Sequence, residues 1–443
     1  MSNKFKKKPG GIALVLTLLS LLIISVLGLG LVTIMLGESS ATSLQVRESK
    51  SYYLACAGVA RATAELRRNS TWGTSSPVTA SMGEGQYEVT VWASPNNSTS
   101  SYKLWKVTTR GRAYDSSREI VAWVEQESFA KYAMFTDSEK SSDGTTIWYL
   151  TRDSMTGPVH TNGYYSISGI PRFSDRVTAA NTSDSYYNST YRRYSQGGHY
   201  YYDPAYFYRY STEHGNENYN SNKPMALEGS ASFSFQGGQP RITLPTDTGL
   251  IASRANTTFN DDVAITFNDD GTMTVHSGAS NTTLSTQTTT IQVNGDADVH
   301  GTLAGRTTIG CSGDINIVGD IVYNDKTQDV LGLVAQGTIW IKTSSNVKRD
   351  LEIDAVLMAL NNSMTVENYD RGVARGTLRI FGGVIQRYRG AVGTFNTNSN
   401  QVASGYSKEY VYDQKLLNKP PLNFPVTGEI KIKAWQDRGA LAE

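Results

Sequence analysis

Apolar and polar positions follow three successive regimes along this chain. From Ile12 to Leu36 every residue is apolar, small or hydroxyl-bearing, and the first charge after this block is Glu38. These 25 residues would form a helix of roughly 37 Å, enough to cross a hydrocarbon core of about 30 Å. From Glu38 to Arg68 the pattern turns amphipathic. Tyr52, Ala55, Val59, Ala62 and Leu66 fall on one face at 3/4 spacing, while Arg47, Lys50, Arg61, Arg67 and Arg68 supply charge elsewhere. The pattern predicts one long helix ending near Asn69-Ser70, half embedded and half packed on a domain.

Beyond residue 80 the period drops to two. Gln86–Ala93 alternates around Tyr87, Val89 and Val91, Tyr102–Arg112 carries Leu104, Trp105 and Val107, and Arg118–Glu127 carries Ile120, Ala122 and Val124. Pro95-Asn96-Asn97 and Asp115-Ser116 supply turns. Three such strands form an antiparallel meander whose apolar face can cover the helix stripe.

A second region opens near Phe135-Thr136-Asp137, with short strands between Gly and Asn corners. Val293 and Val299 stand six residues apart, as do Ile309, Ile315 and Ile321, and Gly-Asp-Ile recurs at 313–315 and 319–321. A six-residue step with one inward aliphatic residue matches one side of a triangular β-helix coil. Strands of a β-sandwich are the alternative. Leu331–Ala335, Ile353–Ala359 and Leu378–Gly383 continue as buried rungs, and the stretch from Gly405 to Pro425 reads as a cap. The expected fold is α+β to mainly β: a transmembrane-amphipathic helix on an antiparallel meander, followed by a right-handed β-solenoid. The corresponding layout is a leader at 1–11, a transmembrane helix at 12–37, a helix-plus-sheet domain at 38–130, a solenoid-like ectodomain at 131–430 and a tail at 431–443.

Composition removes several function classes. With 41 Lys and Arg against 40 Asp and Glu, no global charge draws the chain to nucleic acid. Cys56 and Cys311 are too few for a disulfide framework. The five histidines, His160, His199, His214, His276 and His300, show no metal-ligand spacing, and nucleophile elbows and P-loops are absent. Asn268-Asp269-Asp270-Gly271 has hairpin chemistry, its carboxylates being consecutive rather than alternate as in a calcium loop. His160 sits at a corner and reads as structural. No cofactor, metal ligand or catalytic residue is expected, although distant rungs of a β-helix can assemble an acidic cleft for a glycan-active enzyme.

Lys4, Lys6, Lys7 and Lys8 precede the apolar block, with Gly10-Gly11 between. The basic cluster orients the N terminus toward the cytoplasm and everything after Leu36 outside it. Basic leader, glycine and retained apolar helix together resemble the class III leader of type IV pilins and secretion pseudopilins. The resemblance implies cleavage between Gly11 and Ile12 by a prepilin peptidase. Ala55-Cys56-Ala57-Gly58-Val59 is similar to the A-x-A-G-[IV] stretch of PilX-type minor pilins, where the second position is usually Glu; Cys56 departs from it and reads as a small packed residue. Most pilins carry Glu at the fifth mature position, where it pairs with the amine of a neighbouring subunit. Here that position is Leu16. The resemblance then implies either a tip subunit, which has no earlier neighbour to neutralise, or a chain outside any filament. Together with Gly157–Asn162, these signatures resemble a bacterial family that joins a PilX-type N terminus to a large β-rich ectodomain. The implied partners are a prepilin peptidase, other pilins or minor pilins and the inner membrane.

An insertion at 181–224 is rich in tyrosine. Tyr191, Tyr200, Tyr201, Tyr202, Tyr206 and Tyr208 interleave with Arg192 and Arg193 as a candidate binding surface. Rigid amphipathic rings beside guanidinium groups suit a glycan, a host or surface protein, or stacked DNA bases. A loop packed on the solenoid flank accounts for the same composition. Three functions follow from these patterns: a minor pilin-like component in assembly initiation, tip or adhesion, a membrane-anchored surface protein unconnected with pili, and a glycan-active β-helix enzyme.

Overall fold

The computed structural model describes residues 10–95, 103–150, 153–163, 165, 167–168, 172–180, 192–196, 199–203, 226–227, 237–343, 349–396 and 401–440. The chain divides into two compact units, one of Met1–Ser94, Leu104–Glu125 and Ile430–Glu443, the other of Pro95–Lys103 and Gln126–Glu429.

In the first unit the two helical regimes form one uninterrupted helix, α1 (Gly10–Arg68). Arg67 and Arg68 in its last turn complement the helix dipole. Four strands follow, β1 (Val78–Met82), β2 (Gly85–Ala93), β3 (Leu104–Ala113) and β4 (Ser116–Ser128), in an antiparallel meander. Alternation puts Tyr87, Val89 and Val91 of β2, Trp105 and Val107 of β3, and Ile120, Ala122 and Val124 of β4 on the face that covers Ala55, Val59, Ala62 and Leu66. Burying each of the larger side chains contributes roughly 1.5–3 kcal/mol, so this shared core, more than propensity, holds the lower half of α1.

The sheet has a fifth strand, Val426–Ala440, beside β4. Residues 431–440 of the expected tail at 431–443 therefore belong to the sheet. Glu125 pairs with Lys431 and Lys433, and Glu119 with Arg438, while Ile430 is buried in the core. Lysines on an edge strand blunt further pairing, and they also make such a strand read as a solvated end.

The second unit is built from parallel ladders. Thr257–Phe259, Thr289–Val293, Arg306–Cys311, Val330–Ala335, Leu351–Ala359 and the later part of Ala374–Tyr388 lie side by side. The same ladder continues into Met134–Ser138, Val159–Thr161 and Val177–Ala179. Its register stands Ile291 beside Ile309, and Ile309 in turn beside Leu333. A second ladder runs through Val263–Phe267, Ala297–Leu303, Ile315–Tyr323, Ile339–Ile341 and Met364–Val366. Val293, Val299, Ile309, Ile315 and Ile321, the residues of the six-residue pattern, are all fully buried in one core.

The recurring Gly-Asp pairs have a physical cause. Asp262, Asp296 and Asp314 each accept, through Oδ1, the main-chain N–H of residue 296, 314 and 338 on the next strand level, at 2.7, 2.8 and 2.7 Å. A Cβ at Gly313 would lie 2.1 Å from Asp296 Oδ1, so the glycine makes room for the preceding carboxylate.

Stacking order departs from chain order, since Met134–Ser138 follows Ala374–Tyr388 in space. The segment from Gln239 to Asn256 spans the ladder from one end to the other. Gln239 N–H bonds Ala179, Ile242 N–H bonds Asn162, Asn361 reaches Thr246, and Asn256 N–H bonds Thr290. Ile242, Leu244 and Ile251 bury themselves against Val334, Met358 and Ile385 on the outer side. The stretch from Gly405 to Pro425 does not cap an end: Tyr406 and Tyr410 lie in the main core, and Phe424 packs over Gly332.

Candidate membrane and assembly helix

The upper half of α1 has no partner within the described chain. Its large apolar residues from Leu14 to Leu36 are all at least 50% exposed. Every hydroxyl in this stretch is satisfied within the helix: Thr17 donates to Leu14 O, Ser20 to Leu16 O, Ser25 to Leu21 O and Thr33 to Leu29 O, at 2.5–2.8 Å. An exposed apolar surface of this length with no polar group left over is what a hydrocarbon environment requires. It is the one helix among the described residues long and apolar enough to cross a membrane.

Gly11 and Ile12 lie in the first turns of α1, and Leu16 follows on the exposed apolar half. Lys4, Lys6, Lys7 and Lys8 lie outside the described residues.

The lower half approaches the sheet closely because small residues permit it. Thr109 Oγ1 donates to Ala55 O at 2.9 Å, and a Cβ on Gly111 would stand 2.1 Å from Ser51 O. Gly58 lies against Thr109 and Tyr87. Ala55, Gly58 and Val59 of the motif therefore face the sheet, whereas Cys56 is half-buried and its thiol is pushed up by burial. Both cysteines are free thiols. Arg47 with Asp115 and Lys50 with Glu84 flank the contact as exposed ion pairs, each of small energetic weight.

In the insertion, strands Arg192–Gln196 and His199–Asp203 pair antiparallel, with Arg193 opposite Tyr202, Tyr194 opposite Tyr201 and Ser195 opposite Tyr200. Tyr191, Tyr206 and Tyr208 lie outside the described residues.

His160 is buried and stacks on Phe135. Its Nε2 lies 3.3 Å from Asn162 Oδ1 and its Nδ1 2.8 Å from Thr178 Oγ1, so both ring nitrogens have hydrogen-bond partners. Burial lowers its pKa to about 4. His276 bonds Asn281, and His300 bonds Thr266. No group of three or more His, Cys, Asp or Glu among the described residues is arranged to hold a metal ion.

One buried ionic cluster has no sequence signal. Arg389 Nη1 bonds Glu139 Oε2 at 2.6 Å, and its guanidinium lies 3.3 Å from the centroid of Tyr149. Lys408 and Asp153 form a second buried pair whose partners are equally remote in sequence. Arg389 and Glu139 are 250 residues apart, and only the stacking of early on late strands brings them together.

Residues 87–182 match a family model described as a domain of unknown function, DUF4900. No curated protein matches this chain. Among solved structures, the competence-associated pilin ComZ from Thermus thermophilus is similar over 89% of this chain and 98% of that chain, at 11% identity and a TM-score of 0.32. So distant a likeness carries neither fold nor function across.

Proposed function

We propose that this chain is a minor pilin-like component of a bacterial type IV pilus or related secretion system. In this reading the leader is removed between Gly11 and Ile12 by a prepilin peptidase. Residues 12–37 then anchor the chain in the inner membrane with its N terminus cytoplasmic, and Leu16 suits an initiating or tip subunit. One observation carries the reading: a single unbroken helix, bare and apolar in its first half, packs its second half on an antiparallel sheet through the Ala55-Gly58-Val59 motif. The PilX-type likeness of that motif, and pilin partners along the bare half, belong to the same proposal.

The second unit would serve as the exposed head, a right-handed β-solenoid acting in assembly, at a tip or in adhesion. The parallel register from Ile291 to Ile309 equals three six-residue sides, which supports a triangular coil, and the longer step from Ile309 to Leu333 fits a later turn widened by a loop. The Tyr-rich strands are the proposed contact surface for a glycan, a surface protein or DNA. We read the chain as non-catalytic, in keeping with the hydrogen bonds that hold His160, His276 and His300.

Protease treatment of spheroplasts tests the topology. Digestion of everything beyond residue 37, with the helix resistant and carbonate-insoluble, is expected; a fully protected or carbonate-soluble chain overturns the proposal.

A further inference from the structure

A cavity of about 320 Å3 opens on the second unit, lined among others by Trp340, Tyr369, Asn362, Thr365, Asp143 and Asp370. That is near the lower end of the roughly 300–1,000 Å3 usual for small-molecule sites. Parallel register aligns Asp298, Asn316, Trp340 and Thr365 in one row across successive strands. Trp340 and Thr365 are partly exposed between buried neighbours, Ile339 and Ile341 in one strand and Met364 and Val366 in the other.

The walls are built before any ligand arrives. Trp340 Nε1–H donates to Asp314 Oδ2 at 2.9 Å, which fixes the indole, and Thr365 Oγ1 donates to Ala391 O at 2.7 Å. Asp143 accepts from Ser141 Oγ and from Thr145 N–H at 2.5 and 2.9 Å. Asn368 takes a left-handed φ of 51° at the turn that carries Tyr369 and Asp370. Gly390 closes the wall where a Cβ would stand 1.8 Å from Met364 O.

The chemistry of the lining narrows the ligand. Arg371 offsets one of Asp143 and Asp370, Arg389 is neutralised by Glu139, and Asp143 is already engaged by Ser141 and Thr145, so the lining keeps one excess carboxylate and an anion is disfavoured. Amides and hydroxyls of Asn362, Ser142 and Ser363 both donate and accept, as sugar hydroxyls do. Flat rings suit the C–H face of a pyranose, and a fixed ring loses little freedom on binding. We propose that this cavity is a binding site for a neutral saccharide, with Trp340 as its stacking platform and Asn362 among its hydrogen-bonding groups. The proposal does not depend on whether the chain enters a filament.

Isothermal titration of the full chain in lipid nanodiscs tests this, with chitotriose, cellotriose and maltotriose as neutral probes and trigalacturonate as the anionic one. At least one neutral probe is expected to bind, with Trp340→Ala and Asn362→Ala each weakening it, the former by about tenfold or more. Trp340→Phe, which keeps a ring, should retain most of the affinity, and Thr365→Arg should block the site. The proposal is overturned if no neutral probe binds at millimolar concentration, if trigalacturonate binds more tightly, or if Asn362→Ala and Thr365→Arg leave binding unchanged.

Discussion

The hydroxyl of Thr109 donates to the main-chain carbonyl of Ala55 across 2.9 Å, in a contact where both residues are fully buried. This bond ties the centre of the sheet to α1 and explains why the motif there is made of small residues. Thr109→Val keeps the volume and leaves that carbonyl without its second partner, at a cost of about 1 kcal/mol. Gly111→Val drives a side chain into Ser51 and should cost more, about 1–3 kcal/mol. Thermal unfolding of both variants, with the exposed Ala60→Ser as control, checks the order; equal stability of all three would contradict it.

Arg389 and Glu139 form a buried pair with both side chains nearly inaccessible. Arg389→Met strands a carboxylate in the interior and should destabilise the second unit by about 3–5 kcal/mol. Adding Glu139→Gln to that variant should recover much of the loss. If the double variant melts no higher than the single one, the charge is not the cause.

Acid should weaken the protein through His160. Its native pKa of about 4 lies below its ordinary value of 6.5, because burial opposes the charged ring. Between these values the unfolded chain binds a proton that the folded chain refuses, so stability rises with pH across this window. Falling pH from about 6.5 to about 4 should therefore remove up to about 3 kcal/mol, with no further loss from this group below it. His160→Asn should flatten that part of the pH profile. A profile of unchanged slope would show that His160 is not responsible.

Leu16 offers nothing to pair with a neighbouring amine in an apolar surround. Fibres sheared from cells should hold this chain at trace stoichiometry, with immunogold at fibre ends or the envelope. Regular labelling along the shaft would contradict the role proposed for Leu16.

The helix and meander were legible because their signals are local. The stripe from Ala55 to Leu66, the strands around Val89, Val107 and Ala122, and the Asn268–Gly271 hairpin all follow short-range periodicity or turn chemistry. The strand Val426–Ala440 was not, because its lysines face Glu125, a carboxylate far earlier in the chain. The six-residue pattern faded after Ile321 because the turn at 325–329 and the number of residues between Ile341 and Leu351 lengthen the later steps. The saccharide cavity joins residues near 141, 340, 365 and 390, and no single stretch of sequence announces it.

The first residue of the mature chain tests the central claim most directly. Edman sequencing or intact-mass analysis of protein extracted from membranes should give a start at Ile12, with Gly11→Leu retaining the leader. A chain that starts at Met1, or one that begins beyond Leu36, would contradict the pilin-like account.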